Sequence, residues 1–391
     1  MRAMQQPIRS GLALARLLLL LWGFVLVSQC AVAQSAVPAA AADPAAPPDS
    51  VQQRLTRAMQ AIGQGEFEAA RPILLRLAEG PRQLSPEEQY QVALGFQLIE
   101  EPLAALQLVY PLLERPATQP EYYVLAGNAL TTLQQPDSAY RFYRRGLEQF
   151  PGAGELYLQL GLYHQRRLEQ KQALQYWENG ILYDPAFPTN YYHACKFYSR
   201  TPERLWAITY GELYMNLTPV TQRSEEISRL LWASYQDAIT FTSDSTFTIQ
   251  LTTQNSFQFD SLGNVVHPYP LAMQSNHAAA VSRHLLPRRH PERPITVRQL
   301  MTVREQVLDF WLAQERDTSA ANPLIHRWLQ LRRARLWEPY HYWLFRQGAP
   351  RQYSTYRFDF RELLADFRRW KTQQFFVIPE NSILCRLYYM Q

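Results

Sequence analysis

This sequence is nearly without lysine: of its 39 basic residues only Lys171, Lys196 and Lys371 are lysine. The bias reads as an arginine-favouring genome rather than a phosphate-binding surface. Charge of one sign is also missing. The formal net charge is +5, and without the leading Arg2, Arg9 and Arg16 it drops to about +2, which gives no argument for nucleic acid. The longest apolar run, Leu17 to Val27, covers 11 residues, whereas a membrane-spanning helix takes about 20. Catalytic signatures are absent as well. There is no Gly-x-Ser-x-Gly elbow, no glycine-rich phosphate loop and no His-Glu-x-x-His, so the sequence assigns no catalytic, cofactor-binding or metal-binding residue.

The remaining candidates for chemistry are weak. His267, His277, His284 and His290 are irregularly spaced with no cysteine nearby, a poor pattern for zinc. Glu87 with Glu88, and Asp359 with Glu362, read as solvated carboxylates, because a working acid/base pair needs a shared cleft. Asn216-Leu217-Thr218 is formally a glycosylation sequon.

What is present begins with a leader. Three arginines, a short apolar run and the small-x-small site at Ala31 to Ala33 make residues 1–33 a secretory signal peptide, with Gln34 first in the mature chain. A rival reading is lipid attachment at Cys30, against which Gln29 stands. Location in the periplasm, or secretion, follows as the expectation. Residues 34–50 are rich in alanine and proline and read as a linker. Cys195 and Cys385 then remain, either bridged or as two buried free thiols; the second reading is preferred.

Residues 51–219 carry a repeat. Gly127, Ala139, Tyr143, Gly146 and Pro151 recur as Gly161, Ala173, Trp177, Gly180 and Pro185, each 34 residues later, and Ala207 and Pro219 continue the series. Small residues mark helix crossings, the aromatic one turn on fills the next gap, and the prolines stop the second helix. A weaker copy starts at Pro86 with Ala93 and Ala105, and a shifted one near Val51 with Ala58, Phe67 and Ala70. Cys195 and Gly211 stand where a glycine and an aromatic are expected, which predicts distorted helices in the fifth unit.

The period and these positions resemble the tetratricopeptide-repeat family. The resemblance implies an α-solenoid of about five helix pairs over 51–219; the residues of 220–391 read separately as an α-rich C-terminal domain with a small β insertion, which makes the chain mainly α. The resemblance also implies a binding face made by the first helix of each pair, for a protein or peptide partner. Carried over residue by residue, that face includes Asn128, Arg166, Tyr192, Lys196 and Arg200. The lysines of a carboxylate clamp are missing around Asn128; the cationic set of Arg166, Lys196 and Arg200 reads either as a contact for an acidic segment or as a solvated helix face, the second reading preferred. A scaffold is therefore the leading reading. The alternative is an enzyme with its active site in 220–391, lined by His267 or His284, and the repeats as a targeting arm.

Beyond Pro219 the period is lost. Ser224 to Ala238 reads as a helix, Thr240 to Phe259 as a small β insertion with a turn at Gln254–Asn255, and Leu262 to Pro270 as loop. Helices follow at 271–286, 297–314, 323–336 and 358–370, with a last strand at 375–378. Arg283 to Arg298 is a basic, proline-broken loop, read either as a contact for lipid phosphates or an anionic polymer or as a solvated loop with internal partners, the second reading preferred. The aromatic run from Trp337 to Phe345 reads as a core anchor.

Overall fold

A computed structural model describes residues 50–80, 83–243, 246–253, 258–259, 265–266, 269–285, 294–313, 322–379 and 382–389. The expected leader, Cys30, most of the linker, the Gln254–Asn255 turn, His267, His290 and much of the basic loop lie outside the described residues. The chain falls into two compact units that divide between Gly146 and Leu147.

The first unit holds three helix pairs. They are α1 (Val51–Gln64) with α2 (Phe67–Ala78), α3 (Pro86–Leu98) with α4 (Pro102–Leu113), and α5 (Pro120–Thr132) with α6 (Pro136–Gln149), whose last residues belong to the second unit. Ser50 and Ser85 open α1 and α3 with reciprocal capping boxes, which satisfy donors the first turn leaves free. Glu88 is spent in the second of these boxes.

The second unit continues with α7 (Gly154–Arg166), α8 (Gln170–Tyr183), α9 (Pro188–Tyr198), α10 (Arg204–Leu217) and α11 (Gln222–Ala238). First helices start at 86, 120, 154 and 188, and second helices at 102, 136, 170 and 204. The period therefore holds at 34 residues through both units. It also runs one helix further than the sequence pattern shows, since α11 opens at Gln222, again 34 residues after Pro188. Its cap is Thr221, not Ser224; Ser224 instead returns the bond to the Thr221 N–H.

One turn joins the helices of most pairs. Glu100, Gln134 and Leu168 take φ of 61°, 60° and 64°. The next N–H reaches five residues back, from Glu101 to Phe96 O (2.9 Å), from Gln135 to Leu130 O (2.9 Å) and from Glu169 to His164 O (3.0 Å). This closure satisfies carbonyls at the helix end and usually employs glycine; only Gly65 supplies one here.

Glycines seat the aromatics directly. A Cβ on Gly127 would lie 2.1 Å from Tyr143 Cε1, and one on Gly161 would lie 2.1 Å from Trp177 Nε1. The ring thus rests on the glycine itself, not in the gap beyond it. In the fifth pair the arrangement is reversed. Gly211 on the second helix receives Cys195 from the first, with Sγ 3.0 Å from where a Cβ would stand. Both helices stay continuous, so the expected distortion does not occur. Cys195 and Cys385 are buried free thiols.

After α11 the strands β1 (Ile239–Phe241) and β2 (Phe247–Ile249) form an antiparallel ribbon with Thr240 opposite Thr248. A second ribbon pairs β3 (Gln258–Phe259), inside the expected β insertion, with β4 (Val265–Val266), where the sequence suggested loop. Then come α12 (Tyr269–Ala280), which ends in a π turn over Val281–Leu285, α13 (Val297–Ala313), α14 (Pro323–Arg333), α15 (Trp337–Leu344), α16 (Pro350–Asp359) and α17 (Arg361–Gln373). The α14–α15 connection repeats the hairpin turn, with Arg335 at φ 58° and Leu336 N–H on Leu331 O at 2.9 Å. The single helix expected over 358–370 is two helices broken at Phe360. Residues 375–378 have no ladder partner among the described residues.

One continuous core runs through this unit. It includes Leu174, Tyr191 and Tyr210 of the repeats, and Tyr235, Leu300, Trp328, Tyr340 and Cys385 beyond them. Trp337, Tyr340, Trp343 and Phe345 are buried in it. The C-terminal region thereby covers apolar surface that a terminal repeat would otherwise expose. No helix among the described residues is long and apolar enough to cross a membrane.

Candidate functional site

The face inferred from the resemblance lies on the first helices. Asn128 belongs to the first unit, where its Oδ1 accepts the Tyr143 hydroxyl at 2.8 Å. Arg166, Tyr192, Lys196 and Arg200 belong to the second unit. Arg166 and Arg200 are exposed at the ends of α7 and α9.

Tyr192 and Lys196 are drawn together by α11. Lys196 Nζ lies 2.8 Å from Glu226 Oε1 and donates to the Tyr192 hydroxyl at 3.2 Å, while that hydroxyl donates to Glu226 Oε2. The Tyr192 ring carries Lys196 Nζ at 5.0 Å and Arg223 Cζ at 5.2 Å from its centroid, a cation–π arrangement. Only 7% of Tyr192 is exposed, so it positions its neighbours and offers little surface of its own. Burial would raise the Glu226 carboxyl, but hydrogen bonds from Lys196 and Tyr192, with Lys196 and Arg229 nearby, hold it below the usual carboxylate range. His193 is pushed down to about 3, first by burial and then by Arg223 and Lys196.

Two buried ionic centres escaped the sequence reading. Glu212 on α10 and Arg304 on α13 are both fully buried, with Arg304 Nη2 2.6 Å from Oε1 and 2.7 Å from Oε2. Glu212 Oε1 also accepts Trp328 Nε1 at 2.7 Å and the Tyr340 hydroxyl at 2.6 Å. The Arg304 Nε and Nη1 atoms find no acceptor; the guanidinium instead lies 4.5 Å from the centroid of the Trp328 ring. A lone glutamate inside the apolar run of α10 was the available signal, since an unpaired buried carboxylate is rare. The second centre is Glu178 on α8, wholly buried. It accepts Arg386 Nη2 at 2.7 Å, the Tyr198 hydroxyl at 2.9 Å and the Tyr210 hydroxyl at 3.0 Å.

A cavity of about 10 Å³ touches Glu212, Thr209, Tyr269, His277 and Trp328. That is room for about one water. His277 Nδ1 pairs with Met273 O at 2.7 Å, and burial pushes this histidine down to about 4. Asn216 of the sequon is buried, its Nδ2 donating to Glu212 O and to the Tyr340 hydroxyl, so it is not presented for modification. Among the described residues no three His, Cys, Asp or Glu side chains gather as metal ligands.

No family model and no curated protein matches the chain. Among solved structures it is similar to MamA, at 18% identity and TM-score 0.32, over 41% of this chain and 93% of that one. It is also similar to Pseudomonas aeruginosa PilF, at 18% and 0.37, over 48% and 85%. A third is YrrB, titled a TPR protein with an unusual peptide-binding site, at 17% and 0.30, over 45% and 91%. At these values the likeness carries no argument of its own, and the fold assignment stands on the hairpin geometry.

Proposed function

We propose that this chain, whose helix pairs are of the tetratricopeptide kind, is a non-enzymatic scaffold that holds an acidic protein segment at the α9–α11 face. The observation that supports it is the imbalance of charge there. Lys196 and Arg229 act on the carboxylate of Glu226 and Arg223 acts on the Tyr192 hydroxyl, while Arg229 on α11 and Arg200, just past the end of α9, are exposed. Such a field selects and steers an anionic partner more than it fixes affinity.

The test uses fluorescent acidic peptides in an anisotropy assay, with basic peptides of equal length as control. Arg200→Glu with Arg229→Glu should weaken acidic-peptide binding by about tenfold or more and steepen no other property, because both side chains are exposed. Equal binding by wild type and the reversed variant would remove this face from the proposal. We further propose export through residues 1–33, which requires that the mature protein begin at Gln34; N-terminal sequencing of purified native protein that finds Arg2 or Met1 would overturn it.

A further inference from the structure

The fold gives a carboxylate to the buried Arg304 and to the partly buried Arg386: the first has Glu212, the second Glu178. Three others are treated differently. Arg327 on α14 is 1% exposed, Arg346 just after α15 is 7% exposed, and Lys371 on α17 is half-buried. None of the three has an ion pair with a carboxylate among the described residues.

All three converge on the connection from α10 to α11. Arg327 Nε donates to Asn216 Oδ1 at 3.3 Å, Lys371 Nζ to Thr218 O at 3.0 Å, and Arg346 Nη2 to Ser224 Oγ at 3.3 Å. Their remaining protein bonds are also to neutral acceptors: Gln330 Oε1 and Gln374 O for Arg327, and Trp343 O for Arg346. Lys371 Nζ and Arg346 Cζ lie 5.3 Å and 5.4 Å from the centroid of one ring, Trp343. Arg327 Cζ lies 4.3 Å from the centroid of Trp370, the neighbour of Lys371. Lys371 is pushed down to about 8, by burial first and then by Arg327 and Arg346, so the three charges feel one another. Burial pushes Arg346 down, Tyr353 and Glu225 work against that, and Arg368 adds to it.

Cations withdrawn from water cost several kcal/mol each unless a counter-charge meets them. A guanidinium has five N–H donors and an ammonium three, so each member of the cluster keeps donors beyond those bonds. Two guanidinium groups and an ammonium that act on one another suit a compact oxyanion with more than one negative charge. We propose that Arg327, Arg346 and Lys371 form a binding site for an oxyanion of the phosphate class, free or as a small phosphomonoester. The site is separate from the α9–α11 face and stands or falls without it.

The test is equilibrium dialysis of the full chain at pH 7 in low-salt buffer, with labelled inorganic phosphate and, in a parallel arm, glycerol phosphate. About one ion per chain should bind in one arm or both, and the arm that binds tighter identifies the source. Sodium chloride at matched ionic strength should compete only weakly. Lys371→Gln and Arg346→Gln should each lower affinity about tenfold, as loss of a charge-assisted donor does. Arg351→Gln, at an exposed position on α16, should bind as wild type. Lys371→Arg keeps the charge, and should bind even where the glutamine variants fail to fold. Failure of the unmodified chain to bind either compound at millimolar concentration overturns the proposal, and so does equal binding by the glutamine variants.

Discussion

Arg304 closes both oxygens of Glu212, at 2.6 Å and 2.7 Å, with neither side chain exposed at all. The pair joins helix α10 of the last repeat to α13 beyond it. Burial alone would lower the arginine, and Glu212 outweighs it, so Arg304 is held above its ordinary range. Removing one partner strands a buried charge. Arg304→Met should therefore cost about 3–5 kcal/mol, measured by urea unfolding. Glu212→Met with Arg304→Met should recover much of that loss, because two apolar groups leave no stranded charge. A double variant no better than the single would show that Trp328 and Tyr340 depend on the carboxylate more than the arginine does.

The glycine seats predict a steric signature. Gly161→Ala places a methyl against Trp177, and Gly127→Ala places one against Tyr143. Each should cost about 1–3 kcal/mol, the usual range for overpacking. Adding Trp177→Leu to Gly161→Ala should cost less than the two changes summed, since the residues touch. Strict additivity in a double-mutant cycle would mean that the ring does not rest on the glycine.

Leu168 sits in the left-handed region at φ 64° and is 81% exposed. A side chain there costs about 1–2 kcal/mol, which glycine relieves in part. Leu168→Gly should raise stability by up to about 1 kcal/mol, and Leu168→Val should lower it, as β-branched residues fit this region worst. Thermal unfolding of both variants decides the matter.

Acid should loosen the second unit. His277 and His341 are buried, and burial holds both well below the ordinary histidine value, His277 at about 4. Below pH 6.5 the unfolded chain takes up these protons while the native chain does not, so stability present above that pH is lost as it falls. The slope should approach about 1.4 kcal/mol per pH unit for each histidine. Urea midpoints from pH 7 to pH 4.5 supply the measurement, and His277→Gln should flatten the curve.

Lys371 gives the same direction in a higher pH window, in phosphate-free buffer. Its ordinary value is 10.5 and its native value is about 8. Between the two the unfolded state holds the extra proton, so stability rises with pH. Relative to Lys371→Met, wild type should gain about 1.4 kcal/mol per pH unit from pH 8 towards pH 10. A constant difference between the two proteins would contradict the burial of this amine.

The repeat was legible because its contacts are local. Gly127 meets Tyr143 and Gly161 meets Trp177 within one hairpin, so the interval and the residue types appear together in the sequence. The hairpin turns were not legible, since Glu100, Gln134 and Leu168 share a conformation but no chemistry. The sixth first-helix was hidden likewise: α11 keeps the spacing but lacks the small and aromatic markers. On the candidate face, Lys196 and Arg200 could be placed by their helix positions. Glu226 could not be paired with Tyr192 and Lys196 from sequence, because it lies on the next first helix and nothing local announces it. The ionic centres and the break at Phe360 depend on partners far along the chain.

Glu178 waits for Arg386, some two hundred residues downstream. During synthesis the fourth and fifth hairpins emerge long before the strap that completes them, and domains that depend on distant segments finish late. A chain that lacks Arg386 would keep Glu178 on the Tyr198 and Tyr210 hydroxyls with no counter-charge in its interior.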